Sequence, residues 1–402
     1  MKIRALCQLA DSMPKKALIT TNHMASFSGS EIVALEFAEA FAERGIEVEI
    51  YANYIGSPMA EEAARCNIRL SSDETYPNPF DFDIVYSQHH VMPLLLADKV
   101  KNGLKKPYFI YAHLSPYEPF EVPGVFSERI LADQIYVNSS EVKESLIRYG
   151  IDSINVTIFH NAAPNKFFEI QQKTLPDLKH IIIVSNHVVQ ELYNVIPLLT
   201  NKGIRVSIFG HGGRKERITD VHIENADAVI TIGKTTQYAF AGSRPVYCYD
   251  HFGGPGWLTL ENYERSAEKN YSGRCCMRKI SSEQILEELI TGFSKAHHDI
   301  KYIKEASMIR YNLETYVEQI LANASSKTGR IVDFVDAEFS YLLNTEKKLS
   351  ELIRREHRNV QVLSSEYSSK YSSTYKTMQQ YRLALFIVLS ILMIMFIFSL
   401  KQ

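Results

Sequence analysis

At 402 residues, with 46% hydrophobic and 22% charged residues, the chain has material for two folded domains plus appendages. A formal net charge of −2, with no large basic block in the globular part, argues against a nucleic-acid partner. Five cysteines, Cys7, Cys66, Cys248, Cys275 and Cys276, form an odd set without metal-ligand spacing and fit a reducing compartment.

The N-terminus has Lys2 and Arg4 but no sustained apolar run before Asp11, so no secretory signal is expected. From residue 16 to about 168, strands over 17–21, 46–51, 84–87, 108–111 and 134–137 alternate with helices over 30–44 and 140–149. That alternation predicts an α/β domain with a doubly wound, Rossmann-like parallel sheet. After the polar segment 169–179 the pattern restarts, with strands over 181–184, 206–209, 228–232 and 246–249 and a helix near 189–200, which predicts a second such domain. Helices over 282–295 and 302–324 close the globular body.

Residues 331–382 lack glycine and proline, and Phe334, Phe339, Leu342, Leu349 and Leu352 are spaced roughly as a helical stripe. This predicts a stalk, either a coiled coil through which the chain self-associates or a plain solvated helix. Residues 383–400 are uncharged and span ~27 Å as a helix, close to the ~30 Å hydrocarbon core, so one C-terminal transmembrane helix is expected. Lys370, Lys376 and Arg382 precede the run and Lys401 alone follows, which orients the globular domains to the cytoplasm. The expected division is 1–172, 173–328, 329–382 for the stalk and 383–400 for the anchor.

The densest chemical signal lies in 227–257. Ala228, Val229, Ile230 and Ile232 read as a strand covered on both faces, ending at Gly233, after which Lys234, Thr235 and Thr236 open a helix. Free N–H groups at such a helix start favour an anion, and Lys234 adds a positive charge. A second strand leads into Asp250-His251-Phe252-Gly253-Gly254-Pro255-Gly256, whose glycines let backbone approach a ligand closely. Two such loops at neighbouring strand ends form one crevice for a nucleotide. The same turn also occurs with nothing bound, and Gly-Lys-Thr here lacks the upstream glycine of a phosphate loop. Asp81-Phe82-Asp83 leads straight into a core strand, and His89-His90 and His297-His298 have no third ligand at convincing spacing, so no metal site is expected. The two histidine pairs read as loop or surface residues.

In the first domain, Asn22 to Glu31 forms a loop ending at a helix start, with Gly29 and a capping Ser30. Together with Arg44-Gly45-Ile46-Glu47-Val48, Tyr111-Ala112-His113, Val137-Asn138-Ser139 and Ile158-Phe159-His160-Asn161-Ala162-Ala163, this resembles the GT-B glycosyltransferases of the family 4 type, which make bacterial surface polysaccharides. The resemblance implies a nucleotide-sugar donor, no required cofactor, and a glycan or lipid-linked acceptor. It places His113 near the reacting sugar, although a structural histidine at a strand end fits equally. Glu118 and Glu121 follow as candidate general bases for an acceptor hydroxyl. In the second domain Gly210 and Gly212 follow a strand near the expected nucleotide, joined by Gly233, Lys234, Thr235, Thr236, His251, Gly253 and Gly254. Where the family type carries two glutamates, this chain has Ile230 and Tyr238, and Ser185-Asn186-His187 stands where an Arg and a Lys are expected. A GT-B-like epimerase or hydrolase, or a non-catalytic membrane-held assembly subunit, is therefore also compatible with the residues.

Overall fold

The structure is a computed structural model that describes residues 13–367, apart from 73–75, 118–120, 123, 125, 175–176 and 211. Glu118, the stalk beyond 367 and the apolar run 383–400 lie outside these residues. Among the described residues no helix is long and apolar enough to cross a membrane.

The first domain is a seven-stranded sheet in the order β3-β2-β1-β4-β5-β6-β7. Its strands are β1 (Lys16–Met24), β2 (Glu47–Ile55), β3 (Arg69–Ser71), β4 (Ile84–Gln88), β5 (Tyr108–His113), β6 (Gln134–Val137) and β7 (Val156–Ile158). All neighbours pair in parallel. Alternation sorts the side chains by face: Ile19 and Ile84 pack with Phe37 and Phe41 of the helix Gly29–Ala42, while Leu18, Val85 and Phe109 pack on the other side with Leu95. The second sheet runs β12-β11-β10-β8-β9. It comprises β8 (His180–Ser185), β9 (Arg205–Gly210), β10 (Ala228–Thr231), β11 (Val246–Asp250) and β12 (Gly253–Trp257), with only β12 antiparallel.

Three differences from the sequence expectations bear on function. The Gly-rich segment is not a loop: residues 253–257 form the edge strand β12. The helix expected over 282–295 continues without interruption to Arg310, because Ala296, Ile300 and Ile303 carry its apolar stripe through the polar His297-His298-Asp299. Finally, the start of the expected stalk is docked rather than free. Arg330 pairs with Asp133 at 2.8 Å, Val332 N–H donates to the Leu104 carbonyl at 2.9 Å, and the helix Ala337–Tyr367 buries Phe339 and Leu343 in the core of the first domain. Of the expected stripe, Phe339 is thereby packed into the first domain, whereas Leu342, Leu349 and Leu352 lie on a neighbouring, half-buried face.

The helix Leu313–Ser326 also returns to the first domain, against the helix Gly29–Ala42. One continuous apolar cluster holds Phe37 and Phe159 of the first domain together with Val229 and Phe240 of the second.

Candidate active site between the two sheets

Ligands of doubly wound sheets bind at the carboxyl ends of strands, where the strand order reverses. In the first sheet that point lies between β1 and β4, and in the second between β8 and β10.

His113 ends β5 and is buried. Its Nε2 lies 3.0 Å from Glu128 Oε1 and its Nδ1 3.1 Å from the Glu121 carbonyl. A ring with an acceptor on each nitrogen carries a proton on both. Burial opposes that charge, but the carboxylates of Glu128 and Glu121 outweigh it and raise the pKa. With both nitrogens engaged, His113 is a positioning residue and not a group that meets the sugar.

The bond from His113 to the Glu121 carbonyl fixes the backbone of Glu121, whose carboxylate lies 3.8 Å from the ring. Burial pushes the Glu121 carboxyl up to about 7, against the His113 charge and the N–H groups of Leu114 and Ser115. Its Oε2 accepts from Leu114 N–H at 3.0 Å, and Oε1 lies 3.7 Å from His89 Nε2. His89, read as a loop or surface residue, lies in the turn after β4 with its side chain largely buried, and burial lowers its pKa to about 3. Its Nδ1 accepts from the Asn22 N–H at 3.0 Å, so the remaining proton sits on Nε2 and points towards Glu121. The left-handed backbone at His89 (φ 61°) is a strained conformation for a non-glycine residue. A carboxyl titrating near 7 beside a fixed N–H donor is suited to accept a hydroxyl proton.

The loop leading to the first helix is built by Glu31, a residue the sequence analysis left without a role. Its carboxylate accepts from Ala25 N–H (2.8 Å), Ser26 N–H (3.1 Å), Ser28 N–H (3.2 Å) and the hydroxyls of Ser26 (2.7 Å) and Ser28 (2.6 Å). The space beside the Gly29 Cα is open. Gln88, at the end of β4, is fully buried with neither amide atom paired. It lies on the same face as Tyr86, which lines a small pocket between the domains with His160, Asn161 and Lys234.

In the second domain the glycines divide into two kinds. A Cβ on Gly210 would lie 2.2 Å from the Ser185 carbonyl, and one on Gly212 2.1 Å from the Tyr193 hydroxyl. On Gly253 and Gly254 it would lie 2.0 Å from the carbonyls of Arg278 and Cys248. At these four positions the missing side chain makes room for the protein itself. Gly233 differs: its φ of 59° and ψ of −132° demand glycine, yet its open side meets only Asn270 Nδ2, at 3.7 Å. Thr235 is half-buried at this helix start and Thr236 fully buried. His251 is exposed, its ring 3.9 Å from that of Phe252, which in turn lies under the Arg274 guanidinium at 5.7 Å.

Lys234 departs most from expectation. It is buried, its ammonium 2.6 Å from Glu36 Oε2 of the first domain and bonded to the Ala162 carbonyl. Tyr238 donates its hydroxyl to the other Glu36 oxygen, and Arg217 holds Glu39 at 2.6 Å and Glu62 at 3.0 Å. Burial lowers the Lys234 pKa and Glu36 opposes that. The cation expected at a diphosphate thus neutralises a carboxylate across the domain boundary. Glu36 escaped the sequence analysis because a helical glutamate reads as solvated.

Residues 27–167 match the model of Glycosyltransferase Family 4. No curated protein matches the chain in sequence. Among solved structures, HepE of Anabaena in complex with UDP-glucose is similar with a TM-score of 0.51 at 12% identity, covering 77% of this chain and 99% of that one. A glycosyltransferase from Rickettsia africae is similar with a TM-score of 0.50 at 14% identity, covering 78% and 98%. At such identities the likeness is one of fold: the chain has the GT-B fold, and residues 27–167 of its first domain are similar to Glycosyltransferase Family 4.

Proposed function

We propose that this protein transfers a hexosyl group from a nucleotide-sugar to a surface-glycan or lipid-linked acceptor, without a required metal, at the cytoplasmic face of a membrane. The observation that carries the proposal is Glu121, a buried carboxyl with a pKa of about 7, held between His113 and His89 at the carboxyl edge of the first sheet. In the proposed reaction Glu121 takes the acceptor hydroxyl proton, and the oxygen forms a bond to the anomeric carbon. The bond from that carbon to the diphosphate breaks, and the diphosphate leaves with the electron pair. The N–H groups at the start of the helix Lys234–Ala241, beside the open face of Gly233, are proposed to stabilise its charge. The UDP-glucose bound to HepE supports a donor of this class. The apolar run 383–400 and the positive charges before it support membrane attachment with the domains in the cytoplasm.

Titration calorimetry of UDP-glucose and other nucleotide-sugars against the protein tests the donor half. Binding that Gly233→Ala weakens is the expected result; no binding of any nucleotide-sugar would remove the proposal. The Lys234–Glu36 pair, which occupies the expected phosphate cation, favours one competing reading, a non-catalytic assembly subunit. Sugar transfer by the protein that Glu121→Gln abolishes would exclude that reading, and release of altered or free sugar from donor alone would point to an epimerase or hydrolase.

A further inference from the structure

The helix Ala337–Tyr367 changes character along its length. Phe339 and Leu343 enter the apolar core, but the buried residues after them, Glu346 and Ser350, are polar. Glu346 accepts from Ser127 N–H at 3.0 Å and lies 3.6 Å from His90 Nε2. Ser350 Oγ is 2.6 Å from His90 Nδ1, His357 Nε2 is 2.5 Å from His23 Nε2, and Arg358 donates to the Asn53 carbonyl at 3.2 Å. Ser127 follows β5, His90 follows β4, His23 is near the end of β1 and Asn53 near the end of β2. Residues 346–358 span ~18 Å of helix, and the three spacings across these four strands amount to ~14 Å. The helix therefore runs square across the carboxyl edge, over the point where the strand order reverses.

We propose that residues 346–358 are a displaceable strap occupying a carbohydrate acceptor subsite formed by His23, Asn53, His90 and Ser127. This rests on the glycosyl-transfer reading. The subsite offers an N–H, a carbonyl and two imidazoles, a set of donors and acceptors that suits the hydroxyls of a glycan, and Ser350 presents such a hydroxyl to His90. The hydrogen bonds of Ser350 and Arg358 exchange for sugar or water at small net cost, whereas the Phe339–Leu343 anchor does not. The anchor keeps the strap attached while its polar part lifts.

The test uses the full chain and diethyl pyrocarbonate labelling of His23 and His90, read by mass spectrometry. In the variant Ser350→Ala/His357→Ala/Arg358→Ala, labelling is expected to rise about tenfold or more, since three polar contacts are lost. Maltotetraose at millimolar concentration is expected to restore protection. Unchanged labelling would overturn the strap, and a rise that the oligosaccharide leaves untouched would overturn the subsite. Should the variant fail to fold, hydrogen exchange on the unmutated protein decides: amides of 346–358 are expected to exchange faster than those of the helix Gly29–Ala42, and equal protection would refute the proposal. UDP-glucose calorimetry on the same samples reports on glycosyl transfer separately, because the donor edge lies in the other domain.

Discussion

Glu121 owes its basicity to burial and its orientation to the Leu114 N–H, with two histidines of opposite protonation 3.7 and 3.8 Å away. His113 is charged because both its nitrogens face acceptors, and His89 is neutral because a backbone N–H occupies its Nδ1. A general base must be deprotonated, so kcat/KM is expected to rise with pH and level off above about 7. Glu121→Gln should lower kcat by ~10²–10⁴ and abolish that limb, measured as a pH–rate profile with saturating donor. Activity that keeps the limb in this variant would assign the titration to another group. Gln88 makes a separate prediction. A buried amide without partners costs ~1–3 kcal/mol, so Gln88→Leu should raise the midpoint of urea unfolding, and a lowered midpoint would contradict this.

Among the elements, the two kinds of glycine predict opposite outcomes. In Gly254→Ala the new methyl would meet the Cys248 carbonyl at 2.0 Å, against the backbone of the neighbouring strand rather than a flexible side chain. This variant is expected not to fold, judged by circular dichroism. Gly233→Ala has room for its methyl but must hold a disfavoured backbone at ~1–3 kcal/mol, so it should fold with a lower midpoint and weaker UDP-glucose binding. The apolar, β-branched runs at 181–184 and 228–232 made their strands legible in the sequence, because only a two-sided sheet covers such runs. β12 was not legible: three glycines and a proline carry no strand signal, and the strand exists because its glycines fit against distant carbonyls. Likewise His113 and Glu121 were visible from their place after β5, whereas Glu31, Glu36 and Glu128 sit on helices, where a carboxylate gives no sign of being buried.

At the scale of the molecule, the domains are joined by a shared apolar cluster and by the Lys234–Glu36 pair. Removing one member of a buried pair leaves an uncompensated charge, so Lys234→Ala should cost ~3–5 kcal/mol by urea denaturation. Lys234→Met/Glu36→Gln should recover most of that loss, which a role confined to phosphate binding would not produce. The histidines set a pH dependence. Burial lowers the pKa of His89 to about 3 and of His160 and His357 to about 4, and lowers those of His23 and His180 as well. The unfolded chain takes up protons near 6.5 that these native groups refuse, so their contribution is present above that pH and is lost as pH falls towards 4. Glu121 and His113, whose pKa values are raised, act in the opposite direction but are fewer. Stability is therefore expected to be lower at pH ~5 than at pH ~7.

The most direct test is sugar transfer itself, with membranes containing the full chain, a panel of radiolabelled nucleotide-sugars and extraction of the lipid and glycan fractions. The account predicts label in one of those fractions from at least one donor, lost in Glu121→Gln while that variant still binds the nucleotide. Absence of transfer from every donor, together with absence of nucleotide binding, would contradict it.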